Sequence, residues 1–246
     1  MSSWITGKVI ENRAWTDTLF SVRVEAPPLR FEAGQFVRIG LDLGGERIAR
    51  PFSFVNAPDD PVMEFYCVIV PEGPLSPALA RLKTGELLHV ADNPAGWLIL
   101  SEVPPAEELW LVATGTGIAP FLSMLRTASP WQRYRRVILV HGVRRASELV
   151  YGPLIEQLMR SHAGQLSCVR FTSREKAPGA LEGRVPAAVA DGRLESAGAP
   201  ISPERSQFML CGNPQMLKDM QVALVARGLK KHRRRSPGQI TVESFW

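Results

Sequence analysis

Two glycines set two apart in Thr114-Gly115-Thr116-Gly117-Ile118-Ala119-Pro120, directly after an apolar run, can turn a strand into a helix with backbone N–H groups facing outward. Such a turn cradles a pyrophosphate, or it serves only to redirect the chain. It departs from the G-x-G-x-x-G dinucleotide fingerprint because Pro120 takes the last position, and no Asp or Glu ends the next strand to bind a ribose 2′-hydroxyl. Cations stand there instead: Val143-Arg144-Arg145 after the second strand, Thr172-Ser173-Arg174 after the third, and Arg184 soon after. Ligands of open α/β sheets lie beyond the carboxyl ends of the strands, where guanidinium groups suit a 2′-phosphate through paired charge-assisted hydrogen bonds. These residues favour NADP over NAD, or they are ordinary solvated loop charges.

Earlier in the chain, Arg50-Pro51-Phe52-Ser53-Phe54 joins a cation, aromatic rings and a hydroxyl at a strand entrance, and Pro74-Leu75-Ser76-Pro77 marks a helix start. Arg50 and that helix start could hold a flavin pyrophosphate, with Ser53 bonding the ring; equally, the aromatic residues could simply pack a core. Cys67, Cys168 and Cys211 are three and widely spaced, which argues against a disulfide framework, a zinc site or an iron–sulfur cluster. The isolated His89, His141 and His162 form no ligand set. The basic run Lys230-Lys231-His232-Arg233-Arg234-Arg235 is either a docking patch for an acidic protein or a solvated loop.

The elements that must carry these groups fall into two textures. Short β-rich runs at 7–10, 19–25, 35–41, 52–55, 64–70 and 87–91, broken by Pro/Gly/Asp clusters, predict a small antiparallel barrel interrupted by one helix at 76–83. After a Pro-rich linker near 101–108, strands at 109–113, 137–142, 166–172, 207–211 and 240–242 alternate with helices at 119–126, 153–161, 185–191 and 214–228. That alternation predicts a five-stranded parallel sheet. The expected organisation is an N-terminal β-barrel domain over 1–100 and a C-terminal α/β domain over 101–246.

At 246 residues, with 45% apolar and 22% charged residues, the chain has the composition of a soluble globular protein, and no run reaches the roughly 20 apolar residues of a membrane span. The N-terminus lacks a secretory pattern, so a cytoplasmic location is expected. The net charge of +5 favours acidic or phosphate-bearing partners.

Together, Arg50-Pro51-Phe52-Ser53, the turn at 114–120, Cys211-Gly212-Asn213-Pro214 and the terminal Val242-Glu243-Ser244-Phe245-Trp246, in that order along the whole chain, resemble the bacterial ferredoxin (flavodoxin)–NADP reductase family. The resemblance implies an FAD-binding barrel, an NADP-binding α/β domain, and electron transfer between NADPH and ferredoxin or flavodoxin by hydride exchange at flavin N5. It implies FAD contacts from Arg50, Pro51, Phe52, Ser53, Tyr66, Cys67 and Val68, a pyrophosphate cradle at Leu75 and Ser76, and Thr116 near both flavin and nicotinamide. Val143, Arg144, Ser173, Arg174, Arg184, Asn213 and Pro214 would line the NADP site. Ser53, Thr116, Cys211 and Glu243 are the candidates for hydride geometry or proton supply. Phe245 and Trp246, whose rings would waste apolar surface at a chain end, are expected to stack on FAD.

The partner implied is an acidic ferredoxin or flavodoxin bound by a monomer, with no nucleic acid and no membrane. An oxygenase reductase component or a flavin or quinone reductase could use the same two domains. A nucleic-acid-binding module built on 230–235 is a more distant reading.

Overall fold

The computed structural model describes residues 3–244; the stacking expected of Phe245 and Trp246 lies outside the described residues. The first half is an antiparallel sheet of six strands: β1 (Trp4–Ala14), β2 (Leu19–Glu25), β3 (Phe36–Leu43), β4 (Glu46–Ser53), β5 (Val62–Val68) and, after helix α1 (Leu75–Ala80), β6 (Leu87–Ala91). Their order is β4-β3-β6-β1-β2-β5. One bridge, Phe54 to Phe65, joins the two outer strands and closes the sheet into a barrel. Period-two alternation sends Val22, Val24, Ile39, Phe65 and Val90 inward, where no water reaches them.

The second half alternates strand and helix: β7 (Glu108–Thr114), α2 (Ala119–Leu125), α3 (Ser129–Arg133), β8 (Arg136–Val143), α4 (Gly152–Ser161), β9 (Leu166–Thr172), β10 (Leu181–Glu182), α5 (Val185–Ala190), α6 (Arg193–Ala197), β11 (Ser206–Gly212), α7 (Pro214–Ala226) and β12 (Ile240–Ser244). All the pairings of its sheet are parallel, in the order β10-β9-β8-β7-β11-β12. β7 and β11 are buried along almost their whole length, which is why they read as continuous apolar runs.

Two expectations need correction. The parallel sheet has six strands, not five, because the two-residue β10 pairs Leu181 with Phe171 and Glu182 with Thr172; so short an edge strand is made by its neighbour and leaves no periodic signal. Arg50–Ser53 is the end of a strand and not its entrance, since the two-residue turn Gly44-Gly45 folds β3 onto β4 in the register Leu43 to Glu46 through Phe36 to Ser53. The short helices α3 and α6 lie outside the predicted elements.

One apolar core joins the two halves: Leu19, Ala33, Val55 and Tyr66 pack in the same cluster as Phe121, Met124, Tyr151 and Cys211. Buried Ser123 Oγ donates to the Asn56 carbonyl at 2.7 Å, and Arg126 pairs with Asp60 at 2.7 Å. No helix of the described residues is long and apolar enough to cross a membrane.

Candidate functional site

In the parallel sheet β7 is followed on one side by β8 and on the other by β11, so the chain order reverses between β7 and β11. A crevice opens at such a point beyond the carboxyl ends of the strands. The Gly turn fills it as a short 3-10 helix, Gly115–Ile118, leading into α2. Gly115 has φ 54, a left-handed conformation that suits glycine. Its carbonyl accepts from His141 Nε2 at 3.0 Å. Burial holds the His141 pKa down to about 4, so the ring is neutral and the hydrogen bond persists at physiological pH. Thr114 Oγ1 accepts from the Asn213 N–H at 2.9 Å, and the Asn213 side chain caps α7 by accepting from the N–H groups of Gln215 and Met216.

Gly117 faces the end of β11 closely: a Cβ there would stand 2.6 Å from the Cys211 carbonyl oxygen and 2.8 Å from Gly212 Cα. Both obstacles are backbone, so the turn must move. Gly117→Ala is expected to cost about 2 kcal/mol of stability, the usual scale for overpacking, and to weaken nucleotide binding. A thermal midpoint and NADP titration equal to those of the parent chain would show that the turn tolerates the methyl group.

Two cavities meet at this turn. The first, about 550 Å³, runs along the end of β4, the end of β5 and the start of α1. Arg50, Pro51, Phe52, Ser53, Tyr66, Cys67, Val68, Leu75, Ser76 and Thr116 all line it. The two rings part: Phe52 lines the cavity, whereas Phe54 is fully buried and stacks on Phe31 with centroids 3.8 Å apart. The hydroxyls of Ser53 and Tyr66 are buried and have no hydrogen-bond partner among the described residues. Buried polar groups rarely go unpaired, so this cavity is shaped for a ligand with hydrogen-bonding edges. Ser76 Oγ accepts from the Val70 N–H at 2.8 Å and holds the loop before α1 closed. Burial pushes the Cys67 thiol and the Tyr66 phenol up, so both stay protonated.

The second cavity, about 570 Å³, lies over the carboxyl ends of β7, β8, β9 and β11. Val143, Arg144, Ser173, Arg174, Arg184, Asn213 and Thr116 line it. Arg145 pairs with Glu175 at 3.7 Å, but Arg144, Arg174 and Arg184 have no carboxylate partner within 4.0 Å among the described residues. Three guanidinium groups without a carboxylate partner among the described residues line this cavity, an arrangement that suits an anion. Val68 and Thr116 line both cavities, so ligands in the two would touch there.

Pro214, Cys211 and Glu243 line neither cavity. Pro214 is the first residue of α7, where its missing N–H costs nothing. Cys211 is buried and pairs in register with Glu243 across β11 and β12. Burial, aided by the Glu243 charge, pushes its thiol well up, so it stays protonated. Glu243 has one carboxylate oxygen buried and unpartnered; burial raises its pKa to about 7, opposed by a hydrogen bond from the Trp97 backbone. Thr114, His141, Glu148 and Asp219 also shape the site. Thr114 and His141 do so through partners 99 and 26 residues away, which the sequence does not display, whereas Glu148 and Asp219 line the second cavity.

Residues 111–222 match the family model for the oxidoreductase NAD-binding domain. The flavodoxin/ferredoxin–NADP reductases of Escherichia coli strain K12 and Shigella flexneri are each 48% identical to the chain over 248 residues, covering all of both sequences. The ferredoxin–NADP reductase of Pseudomonas aeruginosa is 37% identical over 99% of the chain and 98% of its own length. Among solved structures, a ferredoxin NADP+ reductase from Neisseria gonorrhoeae with bound FAD and NADP superimposes with a TM-score of 0.94, at 32% identity and 99% coverage of both chains.

Proposed function

Because the chain belongs to the flavodoxin/ferredoxin–NADP reductase family, we infer that it passes electrons between NADPH and a one-electron carrier, ferredoxin or flavodoxin, with FAD as the relay, acting as a cytoplasmic monomer. The observation that carries this reading is the junction of two cavities at Thr116 and Val68, one with unpaired hydroxyls and the other with unpaired arginines. FAD, when bound, supplies hydride exchange with the nicotinamide and single-electron exchange with the carrier.

The chain's residues hold and orient. Ser53 and Tyr66 offer their free hydroxyls to the polar edge of the flavin, Arg50 and the loop before Leu75 and Ser76 receive its pyrophosphate, and Pro51, Phe52, Cys67 and Val68 form the apolar wall. Ser173, Arg174 and Arg184 hold the 2′-phosphate, while Val143, Arg144 and Asn213 border the rest of NADP and Thr116 marks the meeting point. The rings of Phe245 and Trp246 are assigned to FAD stacking on their apolar character. Glu243, whose pKa burial raises to about 7, is about half protonated beside Cys211 at neutral pH.

An acidic carrier fits the exposed cations of the basic run. Arg234 in that run is bound to Glu102 at 3.1 Å and stacks on exposed Trp97, which leaves Lys230, Lys231, Arg233 and Arg235 outward for docking.

The visible spectrum of the purified protein tests the reading. A flavin spectrum bleached anaerobically by NADPH in preference to NADH is expected. A colourless protein that takes up no added FAD would overturn it.

A further inference from the structure

Tyr151 is the only non-glycine residue with a left-handed backbone among the described residues, at φ 62 and ψ 17. A bulky side chain in that region is strained. A glycine would meet the same backbone requirement without strain, so what the position supplies is the side chain. Tyr151 is 5% exposed, and burial together with the Glu64 charge keeps its phenol protonated. The hydroxyl donates to Glu64 Oε1 at 2.7 Å, reaching from the loop after β8 to a strand of the barrel.

Glu64 and Tyr66 are two apart on β5 and therefore share a face. The Tyr151 ring meets the Tyr66 ring edge to face, with centroids 5.3 Å apart and planes at 82°, while Trp15 packs beside it at 5.1 Å. Tyr66 is thus held by a ring whose own position is fixed by a charged hydrogen bond, a neighbouring indole and a strained backbone. Tyr66, whose hydroxyl is buried and has no partner among the described residues, lines the first cavity. The loop that ends in Tyr151 begins with Arg144, whose N–H donates to Glu148 Oε2 at 2.9 Å, and both of those residues line the second cavity.

We propose that Tyr151 is a positioning residue for the flavin reaction: anchored on Glu64, it fixes the ring of Tyr66 against the first cavity and ties that ring to the loop bordering the second. The proposal rests on the assignment of FAD to the first cavity.

The test compares full-length Tyr151→Phe, Glu64→Gln and Glu64→Leu with the parent chain, all loaded with FAD. It records the visible circular dichroism of the flavin, the FAD dissociation constant, kcat, the KM for NADPH, and the thermal midpoint. Tyr151→Phe keeps the ring but loses the anchor. It is expected to alter the flavin dichroism and lower kcat about tenfold, with KM for NADPH changed by no more than about twofold, because small misplacements act on the reacting geometry. Glu64→Gln still presents an acceptor oxygen and is expected to behave as the parent; Glu64→Leu breaks the same hydrogen bond from the other side and should reproduce the Tyr151→Phe changes. If Tyr151→Phe and Glu64→Leu lower only the thermal midpoint, with flavin dichroism, FAD affinity and kcat unchanged, Tyr151 is a structural clamp and the proposal fails. A parent chain that binds no FAD overturns the assignment of the first cavity itself, a different result from normal flavin binding with indifferent variants.

Discussion

Replacing Arg174 and Arg184 together by alanine is expected to lower kcat/KM for NADPH about a hundredfold and to leave kcat/KM for NADH within a few-fold of the parent. Both side chains are exposed on the wall of the second cavity and neither has a carboxylate partner among the described residues, so each is available to an incoming phosphate. A charge-assisted hydrogen bond contributes about 1.5–3 kcal/mol, and exposure to solvent puts each of these at the lower end. Two such contacts give about 3 kcal/mol, or roughly two decades in affinity. NADH carries no 2′-phosphate and makes neither contact. The KM for NADPH should also rise with salt in the parent and much less in the double variant, because screening acts on the contacts that were removed. Equal losses for both nucleotides would mean that these arginines hold the loops and do not read the phosphate.

That these arginines line the second cavity was legible in the sequence because the signal is local: Arg174 closes the loop start after the third strand and Arg184 follows shortly after, at the position where an open sheet places its ligands. The strands of the second sheet were legible for a related reason. β7, β8 and β11 are buried on both faces, so each reads as a largely apolar stretch, and the 166–172 run, more polar and only partly buried, still coincides with β9 to the residue. Legibility ends where tertiary partners decide. β10 exists only through its pairing with β9, and the placement of Arg50–Ser53 depends on a glycine hairpin amid polar residues. His141 reads as an isolated histidine until Gly115, 26 residues away, is folded over it. Tyr151 reads as an ordinary aromatic residue, because its strained backbone and its bond to Glu64, 87 residues away, leave no mark in composition or spacing.

Glu243→Gln is expected to abolish a pH dependence of stability amounting to about 3 kcal/mol. Burial raises the Glu243 pKa from 4.5 to about 7, while the unfolded chain keeps the lower value. Between those two values the folded protein binds a proton that the unfolded chain has released. The stabilising difference is therefore fully present below about 4.5, falls steadily as pH rises, and is lost above about 7. A shift of this size corresponds to about 3 kcal/mol at 1.36 kcal/mol per pH unit. Glutamine is neutral throughout, so it imitates the protonated acid and has no such decline; compared with the parent, the variant should gain stability from pH 5 to pH 8. Thermal midpoints across that range measure the effect, and parallel curves for the two proteins would mean that Glu243 is ionised in the fold. The same measurement bears on the chemistry. A carboxyl that titrates near 7 can hold or release a proton under working conditions, whereas one ionised at 4.5 cannot serve as a proton donor there. If the stability decline disappears in Glu243→Gln and the pH dependence of turnover near 7 disappears with it, one buried group accounts for both. If only the stability curve changes, Glu243 stores a proton that the reaction does not use.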